Sequence, residues 1–192
     1  VKIDDSKPDA DLTNLRIVEP VLLTNSIPIV QAVTEHESHR WTFIVELIGG
    51  VVRAGRNCLT GELSTLFLRS CCGLGIVGNL DLAIIGATGV YIGEDGVARA
   101  ACDDQDEANL KNKFLELASG NDRTGNFGLR VLVFHAAKLL YPEVRSPFVA
   151  ISHSMVDLVV VNTGETREEK LVVCQFVQRV NESGVAVLLV SN

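Results

Sequence analysis

The run Cys71-Cys72-Gly73-Leu74-Gly75-Ile76-Val77-Gly78 contains a G-x-G-x-x-G, a spacing that suits phosphate chemistry. Glycines at these three places let a strand turn tightly into a helix, let backbone approach a pyrophosphate, and let helix pack on strand. The helix N-terminus then turns its N–H groups towards the phosphates. Gly89, Val90, Tyr91 and Ile92 follow, and then Glu94 and Asp95, where an acidic side chain would accept ribose hydroxyls.

Over residues 73–95 the sequence resembles the nucleotide-binding unit of Rossmann dehydrogenases. The resemblance implies NAD or NADP as cofactor, with Gly73, Gly75 and Gly78 at the phosphates and Glu94 or Asp95 at the ribose. The flanking residues favour a different arrangement. Leu66 to Cys72 includes Arg69 and Ser70 and has helical spacing, whereas the fingerprint needs a buried strand there. Ile84-Ile85-Gly86 favours a strand where the fingerprint needs a helix. The preferred arrangement is a helix ending at Gly73, a bend, strands over 80–87 and 90–98, and a reversal at Glu94-Asp95-Gly96. That arrangement needs no cofactor.

Other groups carry less chemistry. Arg53 and Arg56 lie three apart and could hold a phosphate or an acidic partner from one helix face. His36 and His39 have i, i+3 spacing rather than the i, i+4 of a zincin helix, so a solvated turn is expected and no metal. His135 with Cys174 could form a base–nucleophile pair, but Cys174 sits among Val and Phe, as a buried structural thiol would. No G-x-S-x-G surrounds Ser152 or Ser154 beside His153. No catalytic residue is assigned.

The elements that would position these groups fall into two halves. The first twelve residues are expected to be a flexible acidic tail, and 13–192 a single α+β domain. From Leu15 to Val33 apolar runs are broken by Pro20 and Pro28, which predicts kinked extended chain. The spacing of Trp41, Ile44, Val45, Ile48 and Val52 predicts a helix, with Gly49-Gly50 marking a neighbour's close approach. Further helices are expected over 61–72 and over 104–119 with Asp104 as cap and Gly120 as terminator; over 127–140 a helix is favoured, although Leu129–Phe134 could form a strand. The Val-rich segments 148–153, 156–162, 170–180 and 185–190 predict strands joined by reversals at 162–165 and 181–184. The expected architecture is mid-chain helices packed with an antiparallel C-terminal meander.

Composition limits the partners. Of 192 residues, 47% are hydrophobic and only 5% aromatic, so the core rests on aliphatic side chains and exceeds what one small fold readily hides. A net charge of −7 disfavours a broad nucleic-acid surface, leaving a narrow arginine row as the sole route to such a partner. No stretch reaches the length of a membrane span, and the opening VKIDDSKPDADLTN lacks the order of a secretory signal. Five cysteines, an odd number without C-x-x-C, favour thiols in the cytoplasm or another reducing place, a viral particle included. The expectation is a non-catalytic assembly subunit, coat- or scaffold-like, that forms a homo-oligomer or sits in a protein complex. The alternative is an NAD(P)-binding enzyme using the glycine turn at 73–78.

Overall fold

The computed structural model describes residues 21–35, 44–52, 57–73, 80–119, 128–140 and 146–191. In chain order its first elements are β1 (Val21–Thr24), α1 (Ile27–Glu35), β2 (Ile44–Leu47), β3 (Val51–Val52), β4 (Leu59–Thr60) and α2 (Glu62–Gly73). Then come β5 (Leu82–Gly86), β6 (Gly89–Ile92), β7 (Ala98–Cys102), α3 (Gln105–Ala118) and β8 (Leu129–Phe134). After a 3-10 turn at Ala136–Leu139 the chain ends with β9 (Ser146–Ala150), β10 (Leu158–Asn162), α4 (Arg167–Glu182) and β11 (Ala186–Val190). Helices and strands in mixed sheets agree with the α+β expectation.

The C-terminal meander is corrected. Four strands form a parallel sheet in the order β11-β10-β8-β5, and the residues between β10 and β11 are helix. A strand over 170–180 would set Gln178 on the same side as Val172, Cys174, Phe176 and Val180. The helical period places Glu169, Val173, Phe176 and Val180 together, and all four are buried. The start of α4 is fixed by a capping box in which Thr166 accepts from the Glu169 N–H and the Glu169 carboxylate accepts from the Thr166 N–H. A parallel strand pair needs a long crossover, and α4 provides it. Residues 162–165 are therefore a strand-to-helix loop, and Gly184 takes the positive-φ position just past Ser183, the helix C-cap.

Two other helices expected from sequence are strands. Ile44–Leu47 pairs parallel with β1, and β-branched Ile44 and Val45 suit that pairing. Gly50 does mark a close approach, because a Cβ there would collide with Ser64 Oγ. Leu129–Phe134 is a strand between β5 and β10, with helical turning confined to Ala136–Leu139. Of the extended chain expected from Leu15 to Val33, the described part is strand in β1 and helix in α1. Pro28 sits in the first turn of α1, where its missing N–H costs nothing. Helices α2 and α3 lie where sequence placed them, and Asp104 accepts from the Glu107 N–H at 2.9 Å. The C-cap of α3 is Ser119; Gly120 lies outside the described residues.

Helix α3 touches β5 and β8 of the parallel sheet and also β7 and β9. It thus joins the parallel sheet to a three-stranded antiparallel sheet, β6-β7-β9. Phe134 from β8 meets Phe176 from α4 edge-to-face at 5.4 Å, the contact that seats α4 on the sheet.

Candidate functional site

Register assigns the two faces of the parallel sheet. Ala83, Ile85, Leu132, Phe134, Val159 and Val161 point to the face covered by helices, and all belong to the core. The opposite face carries Leu82 and Ile84 from β5, Leu129, Val131 and Val133 from β8, Leu158 and Val160 from β10, and Ala186, Leu188 and Val190 from β11. None of these ten belongs to the core cluster or to the side chains packed against it. Exposure is greatest at the two edges, 62% for Ile84 and 51% for Leu188, while Val131 near the middle is buried. Among the described residues, the strands present no charged side chain on this face.

This arrangement is out of line with the usual physics of such sheets. Parallel sheets are normally covered on both faces, and their strands read as continuous apolar runs for that reason. β10, with Leu158-Val159-Val160-Val161, has that composition, yet only one face meets the core. Taking each exposure against an extended residue, the face offers roughly 700 Å², close to the ~800 Å² per partner of a standard interface.

The glycine fingerprint lies elsewhere. Gly73 is the last residue of α2, so a helix precedes the glycine run where the fingerprint requires a strand. Gly75 and Gly78 lie outside the described residues. Glu94 and Asp95 form the tip of the β6-β7 hairpin, the reversal that the preferred arrangement without cofactor expects. Asp95 pairs with Arg99 through Oδ2 and Nη2 at 2.5 Å, and this bond holds its carboxyl well below the usual range. Arg53, Arg56, His36 and His39 also lie outside the described residues.

The remaining reactive groups are engaged or quiet. His135 caps the 3-10 turn, its Nδ1 accepting from the Ala137 N–H at 3.1 Å. Cys174 is exposed on α4 rather than buried in a strand, a further correction that follows from the helical period. Cys102 is fully buried, and burial pushes its thiol up to about 11, so it stays protonated at neutral pH. At the N-terminus of α4 the Glu169 carboxylate already accepts from the Glu165 and Thr166 N–H groups, at 2.7 and 3.0 Å, where an anion would otherwise bind. No helix among the described residues is long and apolar enough to cross a membrane.

Sequence alone conceals the open face, because 129–134 fits helical spacing as well as a strand. The alternation of Leu82, Ile84 and Gly86 with Ala83 and Ile85 was a readable signal, since one set is exposed and the other buried. No family model matches this chain, and no curated protein or solved structure is significantly similar to it.

Proposed function

We propose that this chain is a non-catalytic assembly subunit that self-associates, with a second copy covering the open face of the parallel sheet. One observation carries the reading: among the described residues, ten apolar or small side chains form a charge-free face outside the core cluster, and of these only Val131 at its middle is buried. A second copy is the occupant that fits. A two-fold contact sets like against like, and an uncharged patch is where two chains of net charge −7 repel least. Two such faces together bury about 1,400 Å², within the range of specific interfaces. The odd cysteine count keeps a reducing compartment part of this reading.

Size-exclusion chromatography with light scattering tests it. The wild type is expected at twice 20.7 kDa. Ile84→Glu with Leu188→Glu is expected at the mass of one chain with an unchanged circular dichroism spectrum. A wild type that stays monomeric at high concentration, or a variant that remains dimeric, removes the proposal.

A further inference from the structure

Strand β11 is one edge of the parallel sheet, and among the described residues its backbone pairs only with β10. Its outer N–H and C=O groups form an open row, the template onto which another strand adds. Ala186-Val187-Leu188-Leu189-Val190 contains no charge and no proline, the residues that commonly protect such an edge. Other edges differ. β9 carries Pro147, and on β5 the core-facing Ala83 and Ile85 are buried. On β11 the core-facing positions are Val187 and Leu189, in register with the buried Val159 and Val161 of β10. Leu189 is nevertheless 46% exposed, so the end of β11 is open on both of its faces.

The strand is also complementary to itself. Set antiparallel to a second β11 about a two-fold axis at Leu188, Leu188 meets Leu188, Val187 meets Leu189, and Ala186 meets Val190. Every opposed pair is aliphatic, and the two members of each pair share a face of the sheet.

We infer that β11 is a second self-association element, through which two copies join antiparallel into one eight-stranded sheet. Another copy is the occupant because the edge matches itself and is neutral in a chain of net charge −7. A strand edge lies at right angles to the sheet faces, so this contact goes beyond the face-to-face one and does not depend on it. Two five-residue strands bury less than the ~800 Å² per partner of a standard interface. Edge pairing therefore sets in at higher concentration than face-to-face pairing.

The test uses the full chain in sedimentation velocity over a wide concentration range, with amide hydrogen exchange measured on the same samples. Ile84→Glu with Leu129→Glu charges the open face on β5 and β8, away from β11. This variant is expected as single chains when dilute and as pairs when concentrated. Alternate amides of β11 should then exchange at least about tenfold more slowly than in the dilute sample. Leu189→Lys charges the edge without touching the open face. Added to the open-face variant it should abolish pairing, and alone it should leave face-to-face dimers intact, with an unchanged circular dichroism spectrum. A wild type that is monomeric when dilute, yet protects β11 amides when concentrated, supports the edge and contradicts only the face-to-face contact. The inference is overturned if the open-face variant stays monomeric throughout, if Leu189→Lys leaves its pairing unchanged, or if the β11 amides gain no protection with concentration.

Discussion

At the scale of single residues, stability is concentrated in a few fixed polar contacts. Thr166 and Glu169 hold the start of α4, and Thr166→Ala is expected to cost about 1 kcal/mol in denaturant unfolding at neutral pH. Two backbone N–H bonds, first from Thr166 and then from Glu165, hold the Glu169 carboxyl below its usual range. A lowered folded-state pKa gives a contribution that is full above the ordinary glutamate range and fades as pH falls through the folded-state value. Glu169→Gln should therefore melt earlier than wild type at pH 7, and the gap between the two should close on acidification. A gap that stays constant to low pH would contradict this. Asp157 works similarly: it takes the Arg130 guanidinium at 2.8 and 3.0 Å and the Arg130 N–H at 2.8 Å, tying the start of β10 to β8. The opposite sign is expected at Thr60. Its buried hydroxyl has no partner, so Thr60→Val should raise the unfolding free energy by about 1 kcal/mol.

At the scale of elements, α4 shows what sequence displays and what it conceals. Phe176 is fully buried against Phe134, and Phe176→Ala is expected to cost about 3–5 kcal/mol in urea unfolding. Gln175 is exposed on the same helix, so Gln175→Pro should cost about 3 kcal/mol, a loss that an edge strand would tolerate far better. The segment is rich in Val, and β propensity argued for a strand. The capping box Thr166–Glu169 and the 169, 173, 176, 180 spacing argued for a helix, and packing on the sheet decided the matter. Helix α3 was readable because Asp104 and the Leu110, Phe114 spacing agree. In β2 and β8 the apolar positions satisfy helical spacing as well as strand alternation, and runs this short are ambiguous between the two. The same ambiguity hid the open face. Its residues are recognisable as a set only once β5, β8, β10 and β11 are known to be parallel neighbours.

At the scale of the whole molecule, the proposal joins a high aliphatic content to a parallel sheet whose outer face is largely exposed among the described residues. The sequence is rich in aliphatic side chains, and among the described residues some of the exposed ones lie on this face while others lie on β1, β2, β3, α1 and α2. The claim that a second copy occupies this face is tested most directly by isotope-filtered NOE spectroscopy on a sample mixing labelled and unlabelled chains. The account predicts intermolecular contacts from the methyl groups of Leu82, Ile84, Val133 and Leu188. Intermolecular contacts confined to other methyl groups, or none at concentrations where a dimer should form, would contradict it.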